Sequence, residues 1–155
     1  MQPKILLTPF WLIAATLVGL GDTLYLSYFQ YLNIIPSCAV GGCEIVLTSP
    51  YSSPFGVPFA YVGLVYYVYM LCLGILLMID QHSKGLRFGT LAYTAIGLVL
   101  SIGFELFQYF VIHAMCLYCG ISALITLVLF SIAVWHWRST SAHPLVHPPQ
   151  EVKKQ

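Results

Sequence analysis

Four apolar stretches without Lys or Arg, at about residues 9–32, 59–79, 88–112 and 117–136, take up most of this 155-residue chain. Each is long enough, at about 1.5 Å per residue in a helix, to cross roughly 30 Å of hydrocarbon. Composition agrees, because 59% hydrophobic and 7% charged residues do not describe a water-soluble domain. The expected fold is all-α and integral to the membrane: a four-transmembrane-helix bundle over residues 1–137, with no room for a second domain. The first stretch exceeds the roughly 7–15 apolar residues of a signal peptide. Asp22 and the aromatic run Tyr25, Tyr28, Phe29, Tyr31 leave it no small-x-small cleavage site, so it reads as a retained anchor.

The six basic residues give the bundle a direction. Lys4 precedes the first stretch, Lys84 and Arg87 fall between the second and third, and Arg138, Lys153 and Lys154 follow the fourth. All lie on one side of a four-span arrangement, and positive charge marks the cytoplasmic side. The expectation is a multi-pass protein of the cell (inner) membrane with both termini cytoplasmic, the 33–58 loop and the short 112–116 turn on the outer face, and a Pro- and Ser-rich tail, 138–155, that is disordered in the cytoplasm. The 33–58 loop is too long to be a minimal connection. It opens with Pro36, bends at Gly41-Gly42, carries the apolar run Ile45-Val46-Leu47 and closes on Pro50, Pro54 and Pro58, which suggests a short helix lying over the bundle.

Two cysteine pairs fall on that outer face: Cys38 and Cys43 in the loop, Cys116 and Cys119 where the fourth span begins. The outer side of a bacterial or endoplasmic-reticulum membrane is oxidising, and adjacent pairs can pass electrons by exchanging disulfides. A C-x-x-C that opens a helix puts both sulfurs on one face. The helix N-terminus favours the thiolate there, while burial opposes it. Gly120 stands where haem attachment would need His. Static staples are the bland alternative for either pair, and the spacings also suit a four-cysteine zinc site, although an oxidising face fits structural zinc poorly. The loop pair is expected to hang in water, within reach of a protein thiol. Cys72, in the middle of the second span, is expected to be a small buried apolar residue. Asp22 and Glu105 are ionisable groups inside spans, which are costly there and usually face the protein interior. Nothing in the chain resembles a nucleotide loop or a basic groove, so no nucleic-acid partner is expected.

The ordered set Cys38, Gly42-Cys43, Val46-Leu47-x-Ser49-x-Tyr51-Ser52, Phe55-Gly56-Val57-Pro58, Gly63, Glu105 and Cys116-x-Tyr118-Cys119 resembles the vitamin K epoxide reductase family. The likeness covers about residues 9–136 and is to the bacterial and archaeal branch, without the fused thioredoxin-like domain that many members carry. It implies a four-helix, quinone-linked, protein-disulfide-forming oxidoreductase. Its thiol partner would be a separate DsbA-like protein of thioredoxin fold. Its electron acceptor would be ubiquinone or menaquinone, with no metal, and it would support disulfide formation in exported proteins. By the same resemblance Cys116 accepts a loop cysteine, Cys119 meets the quinone, and Ser49 helps the exchange, its alternative being a cap. A flat apolar pocket would draw on Phe55, Phe59, Tyr66 and Tyr118, with Asp22 and Glu105 as sources of the protons that quinone reduction consumes. Vertebrate members place a Tyr one turn after the C-x-x-C and an Asn near the start of the second span. Ala123 and Phe59 stand there in this chain, which favours a respiratory quinone over vitamin K epoxide. The competing readings are a cysteine-based metal-binding or transport protein, a structural membrane subunit with stapled loops, and a quinone or vitamin K epoxide reductase proper.

Overall fold

The computed structural model describes residues 3–36, 42–53, 56–81 and 83–141, and among them there is no strand. Four long helices carry the fold: α1 (Pro3–Tyr31), α3 (Phe59–Ile79), α4 (Lys84–Phe107) and α5 (Leu117–Ser141). A short helix, α2 (Cys43–Thr48), and one 3-10 turn (Pro50–Ser52) lie in the connection between α1 and α3. All four long helices are long and apolar enough to span a membrane. α1 packs on both α3 and α5, and α4 on α5, while α3 touches α4 more lightly.

The bundle has a lipid-solvent pattern, apolar outside and partly polar within. Leu17, Val18, Val65, Val99 and Leu124 are exposed on its surface, whereas Thr16, Thr23, Thr90, Thr94 and Thr126 are buried. Each of these hydroxyls donates to a carbonyl of its own helix, Thr16 to Leu12 at 2.7 Å and Thr94 to Thr90 at 2.9 Å among them, so none is left unpaired in a medium without water. Small residues let the helices approach: a Cβ at Gly63 would stand 2.9 Å from Thr23, one at Gly74 3.0 Å from Ile13, and those at Gly19 and Gly97 would run into the rings of Tyr67 and Tyr66. Leu12, Tyr67, Met70, Ile125 and Leu129 form the central core. Tyr67 satisfies its hydroxyl on Ser122, 2.9 Å from Oγ.

Several boundaries differ from the sequence expectation. α4 starts at Lys84, not near 88, because the Ser83 N–H binds Asp80 Oδ1 at 3.1 Å and Arg87 reaches across to the Trp137 carbonyl at 2.9 Å, which lets cations stand inside the helix at its end. α5 continues to Ser141, so residues 138–141, expected in the tail, are helical; no proline interrupts the chain before Pro144. Residues 142–155 of the expected disordered tail lie outside the described residues. Cys72 is exposed on α3, not buried. Tyr67, Met70, Gly74 and Leu77 form the inward stripe of that helix, at the spacing of one helical face, and Cys72 falls between them on the outer side.

Candidate redox site

The turn between α4 and α5 is where the sequence makes its sharpest local choices. α4 does not end in an ordinary cap but widens into a π-helical turn, Gln108–Ile112, a feature often found at functional positions. His113 follows at φ 54, and its N–H binds the Gln108 carbonyl, which also accepts the Ala114 N–H at 3.4 Å. Cys116 then stands as the N-cap of α5. Its carbonyl accepts the Gly120 N–H at 3.0 Å, and its sulfur receives the backbone N–H groups of Tyr118 and Cys119. A hydrogen bond with the Cys119 side chain is the largest influence on the Cys116 thiol. Together with those N–H groups it outweighs burial and holds the thiol down at about 7.

The loop element is pressed onto this turn. Gly42 has φ 119, and a Cβ there would lie 2.5 Å from the Met115 carbonyl oxygen, so both conformation and space require glycine. From that point α2 lays Val46 against the bundle end, and Cys43, Val46 and Cys116 form one buried cluster with Cys119, Tyr118 and Ile112 packed on it. Cys43 is 0% and Cys116 2% exposed. Cys43 is disulfide-bonded, while Cys72, Cys116 and Cys119 are free thiols. Cys43 therefore does not hang in water as expected. Val46 folds down onto the turn with Leu47 packed beside it and takes Cys43 with it, while Ile45 stays exposed. Cys38 lies outside the described residues.

Beside the cluster the interior opens into a cavity of about 390 Å³, walled by all four long helices and by α2. Cys119 is in its wall; Cys116 is not among the lining residues. Of the residues expected around a quinone, Phe59, Tyr66, Tyr118, Asp22 and Glu105 all line it, and Phe55 lies outside the described residues. Phe59 packs on Phe104 with ring centroids 4.3 Å apart, and Tyr118 on Tyr25 at 5.4 Å, which stiffens two sides of the wall. Asp22 Oδ2 is buried without a hydrogen-bond partner. The volume and the largely apolar, aromatic lining with a few polar groups are those of a small-molecule site. Ser49, expected to help the exchange or to cap, has its hydroxyl donating to the Val46 carbonyl at 2.9 Å, closing the end of α2; Ser52 is in the cavity wall.

Three side chains went unnoticed in the sequence. Gln108 is 0% exposed and its Oε1 accepts the Cys116 N–H at 2.9 Å; Tyr67 and Ser122 bind each other on the cavity wall. The available signal was a lone Gln in an apolar run eight residues before the C-x-x-C. Among the described residues no three His, Cys, Asp or Glu side chains converge as a metal site, and a disulfide-bonded Cys43 offers no thiolate ligand.

Comparison with known proteins bears on the same residues. A profile of the Vitamin K epoxide reductase family matches residues 10–134, which include α2, the turn and every residue in the cavity wall. The chain is also similar to the thiol-disulfide oxidoreductase LTO1 of Arabidopsis thaliana, 31% identical over 121 residues. That match covers 73% of this chain and 32% of the plant protein, so this chain spans only about a third of its relative's length.

Proposed function

The chain belongs to the Vitamin K epoxide reductase family; from that premise we propose that it is a multi-pass membrane thiol oxidoreductase that oxidises a separate DsbA-like protein of thioredoxin fold and passes the electrons to a membrane quinone. The observation that carries this reading is that Cys43 and Cys116 share one buried cluster while Cys119, three residues on, stands in the wall of an apolar cavity. A relay is the natural use of that order. The loop disulfide is Cys38–Cys43, and because Cys43 is sealed against the turn, the partner's thiolate attacks Cys38. The freed Cys43 thiolate attacks Cys116, and Cys119 leaves toward the cavity. The partner's second thiol resolves its own mixed disulfide with Cys38, and the reduced loop cysteine resolves the Cys43–Cys116 bridge.

A quinone held in the cavity takes up the two electrons and two protons that the partner's dithiol gives up. Phe59, Tyr66 and Phe104 would hold its flat head, and Asp22 and Glu105 are the proton sources within the wall. The arrangement of basic residues supports an inner-membrane location with both termini cytoplasmic and the cysteines outside, where exported proteins are oxidised.

The test is direct. Purified chain, given a reduced thioredoxin-fold protein and a soluble quinone analogue, should consume one quinone per partner disulfide formed. Partner oxidation that proceeds at the same rate without the chain, or quinone that stays oxidised while the partner's thiols disappear, would refute the quinone-linked reading.

A further inference from the structure

Opening the Cys116–Cys119 disulfide creates a charge in an unfavourable place. In the exchange step proposed above, on which this inference rests, the incoming thiolate forms a new S–S bond to Cys116. The old S–S bond breaks, and its electron pair stays on Cys119 as a thiolate. The titratable groups that act on that sulfur or share the cavity wall with it are the Cys116 thiol, Tyr118 on α5, Asp22 on α1, Tyr66 and Tyr67 on α3, and Glu105 on α4. Not one is a cation. Lys84, Arg87 and Arg138 stand at the opposite end of their helices.

The helix N-terminus does not supply the missing donor. Of the first N–H groups of α5, those of Tyr118 and Cys119 turn to the Cys116 sulfur and that of Gly120 to the Cys116 carbonyl. What remains is Gln108. Its Oε1 is committed to the Cys116 N–H at 2.9 Å, so the amide cannot flip without putting two donors face to face. That commitment leaves Nε2 fully buried, without a hydrogen-bond partner of its own, and beside the sulfur of Cys119. A buried amide donor with nothing to bind is costly unless the acceptor arrives during the reaction.

We infer that Gln108 is the hydrogen-bond donor for the Cys119 thiolate, its Nε2 receiving the charge released by disulfide exchange while its Oε1 holds the Cys116 backbone in line. The π-helical turn is what brings it there. That turn begins at Gln108 and leads the chain back so that the N–H of Cys116, eight residues on, meets the Gln108 side chain. The donor strengthens its bond as the sulfur ionises, since hydrogen bonds to an ionised acceptor are the stronger kind.

The experiment reads the thiolate itself and needs no quinone. In full-length chain carrying Cys116→Ser, so that Cys119 is the remaining thiol of the pair, the rate of Cys119 alkylation is followed against pH by peptide mapping. Gln108→Met, close in shape but with neither donor nor acceptor, should move the midpoint of that profile upward by about one pH unit, roughly a tenfold slower reaction at pH 8. Gln108→Glu keeps an acceptor for the residue-116 N–H and loses the amide donor. Its added negative charge should shift the midpoint upward further than Met does, with thermal stability closer to that of the parent, so an unshifted profile in it excludes a donor at 108 even if the Met variant does not fold. Profiles that superimpose on the parent in a folded Met or Glu variant would overturn the assignment and leave Gln108 a purely structural support for the turn. A shifted profile in a chain that fails to reduce quinone would instead keep this inference and sink the quinone-linked function.

Discussion

The two halves of the bundle are built from opposite ends of the same four helices, yet one is filled and the other is hollow. Toward the basic end, Leu12, Met70, Leu77 and Leu129 are at most 2% exposed, and Gly74 lets α3 close to within a methyl group of α1. Toward the cysteine end the same four helices leave about 390 Å³ open, edged by Asp22 and Glu105. In a membrane there is little hydrophobic drive to bring helices together, so packing contacts hold a bundle and a cavity forfeits them. The filled half carries the stability that the hollow half gives up. What distinguishes them in the chain is where the polar and aromatic residues fall, not how hydrophobic each helix is.

The largest expected effect lies at the sulfurs. Ala at Cys43, Cys116 or Cys119 should lower partner-to-quinone turnover at least about a hundredfold, since each step needs a covalent sulfur. Cys72→Ala, on the outer face of α3, should leave turnover unchanged. A folded, abundant Cys72→Ala chain without activity would break the division between site and scaffold. The next contrast sets one substitution in each half side by side. Leu129→Ala should cost about 2–4 kcal/mol of stability and keep turnover per folded molecule. Ser101→Phe, which puts a ring into the cavity, should raise KM for a quinone analogue about tenfold and spare the single-turnover oxidation of the partner. If Ser101→Phe only lowers the melting temperature, the hollow is a packing defect and not a site.

Much of this division could be read from the chain, and the unread part has a physical explanation. The four spans follow from uninterrupted apolar length, and α2 from three apolar residues between turn signals in a long loop. The gathering of Phe59, Tyr66, Tyr118, Asp22 and Glu105 around one cavity was reached through a family pattern, because residues on four helices share a wall only once the helices are packed. Gln108 escaped because an isolated polar residue in an apolar span has no periodicity to betray it; its importance depends on a change of helix type that no local propensity signals. The burial of Cys43 escaped for a related reason. Whether a loop cysteine faces water or protein depends on how tightly Gly42 can approach Met115, a contact made 73 residues along the chain.

A smaller effect is expected at the two acids of the hollow half. Asp22→Asn and Glu105→Gln should each lower quinone turnover by about tenfold or less, with little change in melting temperature, because they remove a proton source and keep the shape of the wall. Stability loss with unchanged turnover per folded molecule would assign them to the scaffold and erase the chemical difference between the halves.

The smallest effect, and the finest test of how the cysteine end is constructed, is the pH dependence of Cys116 in the reduced chain. Its thiol is drawn down from an ordinary value of 9.0 to about 7 by the hydrogen bond with Cys119 and by the N–H groups of Tyr118 and Cys119, against the effect of burial. The reactive species is the thiolate, so a lowered value means that reactivity is present above pH 7 and is lost as pH falls through it. Alkylation of Cys116 should be near its plateau at pH 8, half of it at about pH 7, and fall about tenfold for each further unit of acid. Cys119→Ala removes the first of those hydrogen bonds and keeps the backbone donors, so its midpoint should move part of the way back toward 9, and the size of that move measures how much of the effect belongs to the partner sulfur. A Cys116 midpoint already near 9 in the unaltered chain would mean that the N-cap position confers no activation, and that the C-x-x-C differs from a buried staple only in facing a cavity.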